Sequence, residues 1–341
     1  MHGENMKKLI IAFASVILAL SFVSCGKKID SSVWISNLAD AKKAASNENK
    51  KIFLFFSADD SDESSASLKE KIFNTADFIS TYTEKYVLTN LDFSDARYDS
   101  DQEGLREDMK IFERYNAKTV PYFLILSKEG YVITTLAIDA NADFDSVRIT
   151  ISEAEETIAQ FDETLAKTKT GTTEERLAAI NEIFDHTDPG VAYHLQPLNK
   201  LYLSLDKNNE SGECAKHLIA LTYAAAADFF IEEHPEKACE EFAKLAKNKF
   251  LSGEEKQMAF YTAGYLLAQS GSTEYQTVKD YFTKAYEAAP ESEDAQNIQM
   301  AINYVQMMIE GEGDEGPASV EEAPITADTA EQPVESEAVA E

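Results

Sequence analysis

Lys51-Ile-Phe-Leu-Phe-Phe-Ser57, followed by Ala58-Asp-Asp-Ser-Asp-Glu-Ser-Ser65 and Leu68-Lys-Glu-Lys-Ile-Phe73, decides the fold. The first seven residues are a short apolar run, rich in aromatics and bounded by charge and turn residues, which is the signal of a buried strand. The polar turn passes into a helix whose acidic start (Asp59, Asp60, Asp62, Glu63) suits the positive end of the helix dipole. On the amino side, Trp34, Leu38, Ala41 and Ala45 stand roughly at helical spacing and predict a helix over 34–45. On the carboxyl side the pattern predicts a strand over 87–93, a polar stretch over 94–101 and a helix over 103–115. After Val120-Pro121 come a strand over 122–127, a Lys128-Glu-Gly130 turn and a strand over 131–137. Glycine at that turn predicts a hairpin. A long helix is expected from about Asp143.

This order, with Asn116-Ala-Lys-Thr-Val-Pro121 before a hairpin, resembles the thioredoxin superfamily. The likeness is to its bacterial periplasmic branch, which carries a Phe-Ser-Gly-Ser-Asp-Trp-Cys-x-x-Cys-x-x-Leu-x-x-x-Val-Phe pattern. Setting Phe56, Asp60, Leu68 and Phe73 on that pattern puts Asp62 and Ser65 where the family has its two redox cysteines. The resemblance implies an α/β domain with a central mixed sheet flanked by helices over residues 31–169. It also implies a cis proline at Pro121 beside the redox positions; the other reading of Pro121 is a trans proline opening an edge strand. Asp60, Val120, Pro121 and Tyr122 would then line a binding surface.

Thiol–disulfide exchange needs an attacking thiolate and a resolving thiol. No cysteine lies between Gly26 and Glu213. A carboxylate at Asp62 cannot form a mixed disulfide, and Ser65 has no base beside it in sequence. No catalytic residue and no cofactor is expected at this site. Asp99-Ser-Asp-Gln-Glu-Gly104 matches the first half of an EF-hand loop, but Lys110 stands where the bidentate Glu is required. A solvated loop explains this cluster, and an acidic helix start explains the one at 59–63, so no metal is expected.

Residues 1–24 read as an export signal, with Lys7 and Lys8 before the apolar run 9–23. Phe22-Val-Ser-Cys25 resembles a bacterial lipobox with Phe22 in place of the usual Leu. That likeness implies lipidation of Cys25, attachment to a bacterial membrane facing the periplasm or the cell surface, and a short linker over 25–30. Ordinary secretion is the other reading.

The formal charge of −30 argues against a nucleic-acid partner and against adsorption to anionic lipid. Residues 170–310 read as all-helical, beginning with a capping box at Thr172-Thr-Glu-Glu175. Phe260, Ala263, Gly264, Leu267, Phe282, Ala285 and Pro290 fall on positions similar to the tetratricopeptide family, echoed weakly by Thr222, Ala225, Ala226, Phe229, Ala238, Phe242 and Leu245. Helix-pair repeats are therefore expected, with a generic helical bundle as the alternative. His217 and His234 read as helix-surface residues. Residues 311–341 carry no Lys, Arg or aromatic residue and are expected not to fold alone.

The reading is an envelope lipoprotein whose redox-inactive thioredoxin-like domain binds or scaffolds a protein or peptide. The alternative is a thiol–disulfide oxidoreductase acting through Cys214 and Cys239, or with a partner.

Overall fold

The computed structural model describes residues 33–232 and 234–311. The expected export signal, Cys25 and most of the acidic tail lie outside the described residues. The chain divides into two compact units between Gln160 and Phe161.

In the first unit α1 (Leu38–Glu48) leads to β1 (Lys51–Ser57). α2 (Glu63–Leu68) follows and runs into a single π turn over Lys69–Phe73. Then come α3 (Ala76–Tyr82), β2 (Tyr86–Asp92), α4 (Asp95–Ser100) and α5 (Gln102–Arg114). β3 (Tyr122–Leu126), β4 (Val132–Thr135) and α6 (Phe144–Glu153) complete the order. The sheet is mixed, in the order β2-β1-β3-β4, with β1 parallel to β2 and antiparallel to β3.

β1 holds the centre because Ile52 to Phe56 are fully buried. A strand covered on both faces needs such an unbroken apolar run. On one face Phe53 and Phe55 meet Phe73, Phe78 and Phe123, with the Phe55 and Phe123 rings stacked at 4.6 Å. On the other face Phe56 sits edge-on to Phe112 of α5 at 5.3 Å. Each ring so buried contributes about 1.5–3 kcal/mol of transfer free energy. Gly130, at φ +95°, makes the β3–β4 turn as expected, because a side chain is strained in that conformation.

Three expectations change. The helix expected from Trp34 starts at Leu38, because Asn37 caps it by accepting the Asp40 amide. Trp34 instead lays its ring against Phe53, Phe55, Phe73 and Phe78. The polar stretch 94–101 contains α4, capped by the Ser94 hydroxyl. The long helix from Asp143 breaks at Ala154, whose amide turns back to Ser152, and resumes as α7 (Glu155–Thr170).

The second unit is helical: α8 (Thr173–Asp185), α9 (Gln196–Leu205), α10 (Cys214–Ile231), α11 (Pro235–Leu245), α12 (Gly253–Gln269), α13 (Tyr275–Ala288) and α14 (Ala295–Glu310). The capping box of Thr172 and Glu175 is formed. From α9 onward each helix packs on the next. α12 meets α13 closely at Gly264, where a Cβ would fall 2.7 Å from the Phe282 ring.

Candidate functional site

The carboxyl ends of β1 and β2 and the start of β3 meet at one end of the sheet. Ser57 pairs with Asp92, and Phe56 pairs with Tyr122, which sets Pro121 level with the loop after β1. The Val120–Pro121 bond is cis. Val120, Pro121 and Tyr122 are half-buried, and Lys118 and Thr119 before them are exposed.

Asp60 and Asp62 of the loop, with Asp92 and Asp101 near it, are committed to backbone amides. Asp62 is the N-cap of α2, and its carboxylate accepts the Ser65 amide at 2.6 Å. Asp60 reaches across to α4 and accepts the amides of Asp95 at 2.8 Å and Ala96 at 2.9 Å. The Ala96 amide is the main cause that holds this carboxyl below its usual pKa. Asp92 accepts the Ser94 amide at 3.2 Å and the Ser94 hydroxyl at 2.7 Å. Asp101, in the half EF-hand, caps α5 through the Gly104 amide. Four short side chains thus fix the turns of this end, each satisfying helix-start amides that would otherwise lack partners.

Ser65 is fully buried, and its hydroxyl has no hydrogen-bond partner. A buried polar group left unpaired costs about 1–3 kcal/mol. Ser65→Ala is therefore expected to raise stability by roughly 1 kcal/mol, since alanine also favours the helix. Urea midpoints of the two forms check this, and a lower midpoint for the variant would refute it.

Beside this corner lies a cleft of about 490 Å³, lined by Trp34, Asp59, Lys69, Asn90, Asp92 and Arg97 among others. Lys69 pairs with Asp59 at 2.7 Å and stands 5.7 Å over the Phe55 ring. The π turn lets α2 present Lys69 to the cleft while the consecutive Ile72 and Phe73 both reach the core. Arg97 pairs with the buried Asp108 at 2.6 Å and donates to the Asp92 carbonyl at 3.2 Å. Burial raises the pKa of Asp108, and Arg97 opposes that shift. Two atoms of the lining, Trp34 Nε1 and Asp59 Oδ1, are buried without a hydrogen-bond partner. Both atoms are sealed from solvent, so they are unpaired within the packing beside the cleft.

The second unit holds the two described cysteines, both free and buried. Cys214 donates to the Asp206 carbonyl at 3.2 Å, and burial pushes its pKa up to about 11. At neutral pH roughly one Cys214 in ten thousand is then a thiolate. Burial raises Cys239 as well.

His217 corrects the sequence expectation of a surface residue, for it is fully buried. Its ring stacks on Tyr202 at 3.8 Å and meets Phe184 edge-on at 5.1 Å. Nδ1 lies 2.8 Å from Asn199 Oδ1, and Nε2 lies 2.8 Å from Asn181 Oδ1. Burial holds its pKa down at about 4. Two oxygen neighbours favour a charged ring, whereas burial favours a neutral one. Turning one carboxamide over reconciles them, because its oxygen and nitrogen exchange places at no steric cost. The sequence holds a weak trace of this network in Asn181 and Asn199, polar residues inside otherwise apolar helical patterns. His234 is exposed, as expected.

Among known proteins, residues 38–137 match the model of a family described as a thioredoxin-like domain. Residues 214–311 match a family described as an uncharacterised protein C-terminal domain. An uncharacterised protein of Treponema pallidum (strain Nichols) is 22% identical over 233 residues, covering 67% of this chain and 76% of the relative. A solved structure titled DsbH oxidoreductase is similar at 13% identity and a TM-score of 0.33, over 40% of this chain and 94% of that one.

Proposed function

We propose that this chain, whose residues 38–137 form a thioredoxin-like domain, uses that domain to bind a protein or peptide and not to exchange disulfides. The observation that carries this reading is the fate of the two redox positions. Asp62 spends its carboxylate on the start of α2, and Ser65 is sealed inside the unit. Neither presents a nucleophile, and thiol exchange requires one. Around them the half-buried Val120, Pro121 and Tyr122 and the neighbouring cleft, lined by Asp59, Lys69, Asn90 and Arg97, remain as a recognition surface. Apolar contact flanked by a few placed polar groups is what such a surface offers an extended segment.

The oxidoreductase alternative would need Cys214 and Cys239. Both are buried with raised pKa values, the opposite of a reactive thiol's surroundings. Dithiol-dependent insulin reduction should therefore stay at the uncatalysed rate, in the parent and in Cys214→Ser/Cys239→Ser alike. A rate above background that the double variant loses would place redox chemistry in the helical unit and overturn the binding reading. Binding itself is measured on an array of extended peptides. Tyr122→Asp is expected to lose most of the signal, and undiminished binding would move the surface elsewhere.

The envelope setting rests on the sequence of residues 1–25. The lipobox-like Phe22-Val-Ser-Cys25 supports an acyl anchor in a chain too acidic to adsorb to anionic head groups. Expressed with its signal in a bacterium, the parent should sediment with membranes and Cys25→Ser should appear in the soluble fraction. Equal sedimentation of the two forms would remove the anchor.

A further inference from the structure

The cleft beside the cis proline is formed by the segment before α1, the π turn, the end of β2 and α4, which contribute Trp34, Lys69, Asp92 and Arg97. Its charges do not balance. Lys69 is taken by Asp59 at 2.7 Å, and Arg97 is taken by the buried Asp108 at 2.6 Å. Asp92 and Asp101 remain on the lining. Arg97 reaches Asp101 only at 3.6 Å, and it donates to the main-chain carbonyl of Asp92, not to the carboxylate. Among the described residues no cation pairs with that carboxylate, which is held by the amide and hydroxyl of the neutral Ser94.

This inventory selects the charge of what enters. An anion would meet two carboxylates and would have to draw Lys69 or Arg97 away from an existing partner. A neutral group would leave the excess as it stands. A cation removes it, and an aromatic wall at Trp34 suits a cation as well. Size and position fit a side chain delivered by a bound segment. The space is about 490 Å³, more than one long side chain fills. Asp92 at the end of β2 pairs with Ser57 of β1, and Phe56 of β1 pairs with Tyr122 of β3. The cleft and Pro121 thus lie about two strand spacings apart, about 10 Å, which about three residues of extended chain cover.

We propose that the cleft is the specificity pocket of the peptide-binding surface, and that it takes a lysine or arginine side chain of the bound segment. The inference rests on the binding reading given above and names the chemistry of the partner. The basic residue stands about three positions along the segment from the residue seated at Pro121. The charge of −30 draws basic segments toward the chain, and the two unpaired carboxylates decide where the basic residue comes to rest.

Trp34 is the chain's only tryptophan and lines the cleft, so its fluorescence reports occupancy without a label. The full chain is titrated with a peptide that the array identifies, carrying lysine, norleucine or glutamate at its basic position. Lysine should bind about tenfold more tightly than norleucine at low salt, and glutamate more weakly than either. The lysine advantage should fall to about twofold at 1 M salt, where exposed charges are screened. Asp92→Asn/Asp101→Asn keeps an acceptor for the Ser94 and Gly104 amides and should remove the preference for lysine. Equal binding of lysine and norleucine, or array binders without a basic residue, overturns the pocket and leaves the binding surface standing. A lysine preference that survives Asp92→Asn/Asp101→Asn overturns it too, by placing the cation elsewhere. An array with no binder removes the binding reading and the pocket with it.

Discussion

Replacing Arg97 by methionine should destabilise the amino-terminal unit by about 3–5 kcal/mol at neutral pH. Asp108 is 3% exposed, and Arg97 is the cation paired with it at 2.6 Å. Methionine keeps the apolar stem of the side chain and removes the guanidinium, so the loss is chiefly of charge and hydrogen bonds. It leaves a carboxylate in a low-dielectric setting with its guanidinium gone, and it also frees the Asp92 carbonyl that Arg97 now holds. The pH dependence has a definite sign. Burial already raises the folded pKa of Asp108 above its ordinary value, and removing Arg97 raises it further. A carboxyl with a raised folded pKa favours folding below its unfolded pKa, and that gain is lost as pH rises through the folded pKa. The deficit of Arg97→Met should accordingly shrink on acidification, as Asp108 takes up a proton and no longer needs a partner. Adding Asp108→Asn should recover much of the loss at neutral pH. Urea unfolding of the four members of this cycle measures it, and a loss under about 1 kcal/mol would show that the pair is solvated and replaceable.

The second large effect is acid sensitivity of the helical unit. His217 has its pKa lowered to about 4 from an ordinary 6.5, mainly by burial, with Lys216 adding to the shift and Asp185 opposing it. The unfolded chain binds a proton near pH 6.5 and the folded chain does not until about pH 4. Stability is therefore fully present above pH 6.5 and falls as pH drops toward 4, by roughly 3 kcal/mol in all. The ring joins three helices through Asn181 of α8 and Asn199 and Tyr202 of α9, so its protonation loosens all of them. His217→Gln keeps amide partners and cannot titrate. The parent should lose more than the variant between pH 6.5 and 4, whatever the remaining carboxylates do to both. Parallel losses would mean that the ring already carries its proton in the folded state.

The readable parts of the fold were those whose cause is local. Lys51–Ser57 declares a buried strand by its own composition. Gly130 declares its turn, and Thr172 with Glu175 three residues on declares a helix start. What escaped was set by distant residues. α4 is a helix partly because Asp60, far back in the chain, supplies acceptors for its first amides. Trp34 sits at helical spacing from Leu38, yet its ring is taken up by four phenylalanines of other elements. The cleft depends on a π turn, one residue out of phase with the period by which helices are read, so the outward direction of Lys69 carries no mark in the sequence. His217 stands on α10, where apolar residues occupy nearly every side and periodicity cannot tell inside from outside. At the candidate site the resemblance set Asp62 and Ser65 on the redox positions; the structure puts Asp62 at the cap of α2, Ser65 within that helix and a cis bond before Pro121. The resemblance gave no sign that the carboxylates of Asp60 and Asp62 are spent on backbone amides.

The absence of sulfur from the corner that carries Asp62 and Ser65 has a consequence for how any complex there ends. A thioredoxin that traps its client through a mixed disulfide releases it when a second thiol attacks, so reducing equivalents govern the lifetime of the bond. On the proposed binding reading no covalent step would link host to guest, and residence would be governed by contact area, salt and competitor concentration. A partner seated on this surface would stay or leave at the same rate in an oxidising envelope as in a reducing one, and the domain would serve as a holder indifferent to the redox state of its surroundings.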